Sequence, residues 1–296
     1  MSLHQDTTFV ARLSGPDPTP PSPAGSGPGL VRLPTGAADT GAARRRRLPR
    51  GTARLGGILL FFGLWEIAAL VGWLKPQDLA APSVIFTTGI DMLRSGALES
   101  AIWVSLQRVL WGLVIGVPVG LALALAAGLT RTGENLIDGN VQMLRFVPVI
   151  GLESLFILWL GVGETAKVSL IVLGVTFPVY INVFTAIRSM DPGLHELADV
   201  VGLSRSERIR RIVLPGVLPA FFMGLRIAVA VAWLILVFVE QINASNGLGY
   251  LIIQAQTFFE SSVIVVALVT YALMGLVSEG LVRLAERRVL RWQPGR

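Results

Sequence analysis

The sequence predicts an all-α, polytopic membrane protein with about six transmembrane helices. Its 296 residues are 53% hydrophobic and only 15% charged, whereas about a quarter of the residues in a soluble domain carry a charge. Apolar runs of roughly 20 residues, the length that crosses a bilayer as a helix, recur along the chain. These runs are too long and too uniformly apolar for barrel strands, so helices must satisfy their backbone hydrogen bonds.

Residues 1–50 are predicted to be a disordered cytoplasmic tail that precedes a transmembrane domain over residues 51–296. The tail is rich in Pro, Gly, Ser and Thr and has few large apolar residues, so it cannot bury a core. No apolar segment follows a short basic start, which argues against a signal peptide. The tail ends in a run of arginines, Arg44 to Arg47, close to the first apolar run.

Six apolar runs are predicted to cross the membrane as helices. They cover residues 55–74, 104–129, 141–161, 168–188, 218–240 and 263–284. The third run differs from the others because Arg145, Pro148 and Glu153 interrupt it.

Basic residues orient these spans through the positive-inside rule. Arginines concentrate in the tail, in the 130–140 and 189–217 loops and at the C-terminus, whereas the alternate connections hold only Lys75, Arg94 and Lys167. Both termini and the 189–217 loop are therefore expected in the cytoplasm of a multi-pass inner (plasma) membrane protein. Because the arginines flank apolar runs, the net charge of +6 reflects topology and does not predict nucleic-acid binding.

The composition offers little for catalysis. There is no cysteine and there are only two histidines, which leaves no candidate metal or catalytic site. No Gly-x-x-x-x-Gly-Lys-Ser/Thr loop is present, and the nearest segment, 161–167, lacks the glycine before its lysine. We therefore expect a protein that is not an enzyme and does not itself bind ATP.

The charged loop over residues 189–217 is predicted to form two short helices. An apolar stripe at helical spacing predicts the first: Leu194, Leu197, Ala198 and Val201. Gly202 favours the left-handed conformation that ends a helix. Ser204 and Glu207 form a Ser-x-x-Glu capping box that starts the second helix, and Pro215 marks the return to the membrane.

The same loop resembles the EAA signature of the permease subunits of ATP-binding-cassette (ABC) importers. The matching positions are Glu196, Ala198, Gly202, Ile212, Leu214 and Pro215. Further segments resemble the nitrate, sulfonate and taurine branch of these permeases: 105–112, 157–167, 224–227, 244–252 and 286–292. The likeness extends over about residues 75–292 and implies a type I importer fold in which two permease subunits enclose the pathway.

In that family the signature docks on the ATPase subunit. The resemblance therefore implies ATPase-coupling roles for Glu196, Ala198, Gly202, Ser204, Glu207, Ile212, Leu214 and Pro215. It also implies cytoplasmic ATPase subunits, an extracytoplasmic binding protein and a second permease copy, expected to form a homodimer within the lipid bilayer. No cofactor is expected on this chain, and ATP acts through the partner subunit.

Charged residues inside spans are costly, which makes each one a functional candidate. Arg108, Arg145, Glu153 and Glu240 are predicted to line the translocation pathway of a small, mainly anionic solute such as nitrate, an aliphatic sulfonate or taurine. Alternatively, the arginines extend to headgroups and the carboxylates are their counter-ions. One departure from the branch pattern bears on the solute: the proline-rich stretch expected after Arg145 retains only Pro148 and is followed by Glu153.

Two other functions compete with the importer permease. A membrane scaffold that recruits a soluble partner would explain the basic loop but not the charges within the spans. A secondary transporter would explain those charges but is expected to show inverted hydropathy repeats, and none is evident in this sequence.

Overall fold

The computed structural model describes residues 50–75 and 77–292, and these ranges are helical without a strand. The helices are α1 (Arg50–Leu70), α2 (Pro82–Arg94), α3 (Ala97–Leu129), α4 (Arg131–Leu144), α5 (Val149–Leu160), α6 (Glu164–Arg188), α7 (Pro192–Val200), α8 (Arg205–Ile242), α9 (Leu248–Thr257) and α10 (Ser261–Val289). The all-α prediction is confirmed. The predicted disordered tail lies almost entirely outside the described residues.

Four of the predicted spans are confirmed within the described residues. Helices α3, α6, α8 and α10 are each long and apolar enough to cross a membrane. All four extend beyond the predicted limits, most of all α3, which begins at Ala97, and α8, which begins at Arg205 inside the charged loop.

The limits of the other two predicted spans are corrected. The run 141–161 is not one helix, because α4 and α5 meet at a 90° bend and together make at most one broken span. Pro148 lies in this bend, where its fixed φ and missing N–H interrupt a regular helix. The run 55–74 ends early in a turn at Gly72, whose φ is +83°, after a helix that covers Arg50–Leu70.

Helices α3 and α6 run in the same direction and approach closely along a row of glycines. Gly112, Gly116 and Gly120 recur at every fourth residue of α3, and a Cβ atom on Gly120 would lie 2.7 Å from the carbonyl oxygen of Thr176 in α6. Small residues at this spacing let two backbones pack by van der Waals contact, which is one of the forces that associate helices in lipid. The row sets the separation of the two helices.

Helix α8 packs antiparallel to α6. Helix α10 packs against the side of α8 that faces away from α6. The side chain of Ile235 lies over Gly174 of α6. On the α10 side, Trp233 contacts the ring of Tyr271 edge to face at 6.2 Å and donates a hydrogen bond to Ser278 at 3.2 Å. Helices α3 and α6 therefore finish, and α8 begins, at one end of the bundle, called here the loop end.

Replacing Gly120 by Ala is expected to reduce the free energy of unfolding by about 1–3 kcal/mol, because the added methyl group overpacks the α3–α6 contact. Gly280→Ala in α10 is the matched control, since no atom lies within 4 Å of a Cβ built there. Thermal unfolding of the detergent-solubilised proteins measures both effects. Equal midpoints for the two variants would contradict close packing at Gly120.

Candidate functional site

The predicted turn between the two helices of the charged loop is present. Helix α7 begins after Asp191, whose side chain accepts a hydrogen bond from the Gly193 N–H at 2.9 Å. It ends before Gly202, whose φ of +72° is the left-handed conformation that the sequence predicts. The chain then reverses direction with little strain, because glycine has no Cβ to oppose this φ.

The predicted capping box is also confirmed. Ser204 Oγ accepts from the Glu207 N–H at 3.3 Å, and Glu207 Oε2 accepts from the Ser204 N–H at 3.1 Å. The box does not start a separate short helix, however, because α8 continues from here into the bundle. A π-helical turn, Ile209–Val213, lies within it directly before Leu214 and Pro215.

An ion pair braces the two helices of the loop against each other. Arg208 of α8 donates to Asp199 of α7 across the turn. A longer pair joins Arg211 and Glu207 at 3.5 Å within α8. The capping box, the turn at Gly202 and the Arg208–Asp199 ion pair together fix the angle between α7 and α8.

Helix α7 presents an apolar surface that nothing in the described part of the chain covers. This surface is called here the α7 patch, and the side chains that form it are 41 to 85% exposed: Leu194, Leu197, Val200 and Val201. Ala198, which belongs to the same predicted stripe, is instead buried at 1% exposed, whereas Glu196 is exposed. An apolar group on a loop surrounded by charges is typical of a protein interaction site.

A cavity of about 1440 Å³ lies behind α7 at the loop end. Its walls come from the ends of α3 and α6 and from the loop, with Arg188, Glu196 and Arg205 among its polar lining residues. The loop therefore stands away from the bundle over part of its length.

At the opposite end of the bundle, Arg108 of α3 is enclosed by protein acceptors. Its Nε and Nη2 donate to the two oxygens of Glu164 at 2.6 Å each. Its Nη1 donates to Glu240 at 2.6 Å, and Asn246 accepts twice at 2.9 Å, through its backbone and side-chain oxygens. A guanidinium has five N–H groups, so in this conformation none remains for a solute.

Glu240 of α8 is equally occupied. Beyond Arg108, its oxygens accept from Ser105 at 2.8 Å, Tyr271 at 2.8 Å and the Gly249 N–H at 2.9 Å. Its side chain is fully buried. These contacts define the charge cluster, which joins α3, α6, α8, the α8–α9 turn and α10: Ser105, Arg108, Glu164, Glu240, Asn246 and Tyr271.

The four residues predicted to line the pathway occupy three different environments. Arg108 and Glu240 pair with each other inside the charge cluster, the geometry of the counter-ion alternative. Arg145 is exposed at the bend between α4 and α5, with its guanidinium 4.9 Å from the Phe146 ring centroid. Glu153 is buried at the start of the α-helical part of α5. The structure does not bring the four together.

Sequence reasoning missed the uncharged members of the cluster and Glu164. The sequence did contain a signal for Ser105, because it lies three residues before Arg108 on the same helical face. Glu164 and Lys167 belong to the segment 157–167, whose family resemblance assigns no partner to either charge.

Comparison with known proteins identifies the family. The family described as binding-protein-dependent transport system inner membrane component matches residues 116–291. The chain is 42% identical over 231 residues to the Escherichia coli K12 protein named as an aliphatic sulfonates transport permease, SsuC, covering 78% of this chain and 88% of that one. The Bacillus subtilis 168 protein of the same name is 35% identical over 260 residues, covering 86% and 94%.

Solved structures agree on the fold. A bacterial ABC transporter that imports the acidic polysaccharide alginate superimposes with a TM-score of 0.56 at 19% identity, covering 80% of this chain and 95% of that one. The MetNI methionine ABC transporter superimposes with a TM-score of 0.52 at 20% identity, covering 67% and 96%. The chain therefore belongs to the family of binding-protein-dependent inner membrane components, the permease subunits of ABC importers.

Proposed function

We propose that the chain couples ATP hydrolysis on a partner subunit to solute import, and that the α7 patch is the docking surface for that ATPase. The observation that carries this proposal is an apolar surface that stays exposed while a capping box, a left-handed glycine and an ion pair brace it. Bracing matters because a rigid element transmits the displacement of a partner, whereas a flexible loop absorbs it. Glu196, which is exposed on the same helix, is placed to contact the same partner.

The coupling path runs from the α7 patch through the turn at Gly202 into α8. Ile212, Leu214 and Pro215 lie on the continuous stretch of α8 that enters the bundle. Movement of the ATPase subunits displaces α7, and α8 carries this displacement towards the charge cluster. In this account both termini and the loop end lie in the cytoplasm, and a second copy of the chain completes the pathway.

The solute proposed for this permease is an aliphatic sulfonate or a related small anion such as taurine. Proteins 42% and 35% identical to this chain carry the name of aliphatic sulfonate permeases, and the taurine permease TauC of Escherichia coli is 28% identical over 246 residues. An extracytoplasmic binding protein would deliver the solute. Arg145 is the cation of the predicted set that is exposed and free of an ion pair within the described residues.

The competing functions explain fewer observations. A scaffold would use the α7 patch but would gain nothing from a bent span next to an exposed arginine. A secondary transporter would need no docking surface at the loop end. The direct test is co-purification: the chain should bring an ATPase subunit with it, and the complex should hydrolyse ATP faster when the loaded binding protein is added.

Gly202→Val is expected to abolish most sulfonate-stimulated ATP hydrolysis while leaving membrane insertion intact, because a β-branched residue opposes a φ of +72°. Gly202→Asn is the matched control, since asparagine tolerates the left-handed region. Stimulated ATPase activity in proteoliposomes distinguishes them. Normal stimulation in the valine variant would remove the turn from the coupling path.

Arg145→Ala is expected to lower uptake of butanesulfonate at sub-saturating concentration about tenfold or more, because the solute loses one charge-assisted hydrogen bond. Assembly with the ATPase should not change. Arg94→Ala, an exposed arginine at the end of α2, is the control. Equal uptake by both variants would exclude Arg145 from the pathway.

Arg108→Met is expected to cost about 3–5 kcal/mol of folding free energy, because it leaves the buried Glu240 carboxylate without its cation. Arg283→Met, which breaks an exposed pair with Glu279, should cost far less. If Arg108→Met abolishes folding, Ser105→Ala tests the same cluster through a milder loss. A stable Arg108→Met protein with selectively impaired uptake would instead identify Arg108 as a solute ligand.

A further inference from the structure

Asp138 places a carboxylate in α4, the first half of the broken span. It lies at the end of a π-helical turn, Glu134–Asp138. Its Oδ1 atom accepts hydrogen bonds from the Tyr180 hydroxyl at 3.0 Å and from the Gln142 side-chain amide at 3.3 Å. A carboxylate at membrane depth is costly unless polar partners compensate it, and these two donors supply that compensation.

Tyr180 holds its hydroxyl in a fixed place. Its side chain is fully buried on α6, and its ring stacks on that of Phe184 with the centroids 5.5 Å apart. A hydrogen bond from a hydroxyl to a carboxylate is stronger than one between neutral groups. The Tyr180–Asp138 bond therefore ties α4 to a rigid point of α6.

A second polar contact joins the same two helices nearer the loop end. Arg188 of α6 forms an ion pair with Glu134 of α4 at 3.1 Å, and both side chains are partly exposed. An exposed ion pair contributes little to stability, so the less exposed Tyr180–Asp138 bond is the stronger of the two ties. Three apolar side chains of α4 are themselves 53 to 72% exposed: Leu136, Met143 and Leu144.

We propose that Asp138 is a positioning residue that fixes α4 on α6 through Tyr180 and thereby places the bend that carries Arg145. A regular helical segment, Gly139–Leu144, connects Asp138 to the bend. Arg145 is the seventh residue after Asp138, which is about two helical turns or roughly 10 Å. Because a helix is stiff over this distance, the tie sets where the exposed guanidinium lies. Only the relevance of this position to transport rests on the proposed function.

The tie is tested by thermal unfolding of the purified full-length chain in detergent, which requires no partner. Tyr180→Phe removes the hydroxyl and keeps the ring, and it should lower the unfolding midpoint by about 5 °C. Asp138→Ala should lower it by at least as much, and the double variant should match Asp138→Ala to within roughly 2 °C, because the two residues share one bond. Asp91→Ala, which removes an exposed carboxylate on α2, is the control. Additive losses, or no loss in Tyr180→Phe, would overturn the tie.

The effect on the bend is tested on the same purified chain by electron paramagnetic resonance. The chain has no cysteine, so a nitroxide attached to Phe146→Cys, next to Arg145, reports the mobility of the bend alone. Its spectrum should narrow in Asp138→Ala and in Tyr180→Phe. A label on Phe86→Cys, at an exposed position of α2, should not change. An unchanged spectrum at the bend, or equal changes at both labels, would overturn the positioning role.

Butanesulfonate uptake by the reconstituted complex tests the link to Arg145. Tyr180→Phe should raise the half-saturating concentration several-fold with little change in the maximal rate. In an Arg145→Ala background it should have no further effect, because the solute contact is already lost. An equal effect in both backgrounds would show that Tyr180 acts independently of Arg145 and would overturn its role in transport. If the wild-type complex does not transport, the proposed function fails, whereas the unfolding and resonance results still decide whether Asp138 positions the bend.

Discussion

The arrangement of the bundle depends on the complete occupation of Arg108. A buried guanidinium is tolerated only where its charge is compensated and its donors are paired, and here two carboxylates and one asparagine accept all five N–H groups. These acceptors come from α6, α8 and the turn after α8, so Arg108 is satisfied only when the three segments meet at one point. The need to pair Arg108 therefore selects one register of the helices. Apolar contacts alone do not define the register in this way.

The two ends of the molecule consequently have different properties. At one end, polar groups are paired with each other, and Ser105, Arg108, Glu240 and Tyr271 among them are buried. At the loop end, apolar side chains are exposed and a cavity separates α7 from the bundle. The close approach of α3 and α6 along the glycine row connects the two ends without an intervening flexible segment. In the coupling proposed above, a displacement at the loop end would reach the opposite end through packed helices.

Much of this architecture follows from local sequence rules, and the parts that do not follow have physical reasons. The capping box and the left-handed Gly202 were predictable because each depends on residues within one turn of chain. The break at Pro148 was visible as an interruption, but the 90° angle depends on tertiary packing. The charge cluster was not predictable, since Ser105 and Glu240 meet across 135 positions of sequence. Hydropathy likewise placed the start of α8 too late, because its first turns are charged although they continue the same helix.

The continuity of α8 has a mechanical consequence. At about 1.5 Å per residue, its 38 residues form a rod roughly 57 Å long. A tilt of about 5° at one end of such a rod shifts the other end by about 5 Å, close to the spacing of one helical turn. Glu240 lies near the far end and is bonded to α3 and α10, so this end cannot swing alone. A tilt of α8 must therefore move α3 and α10 together with it.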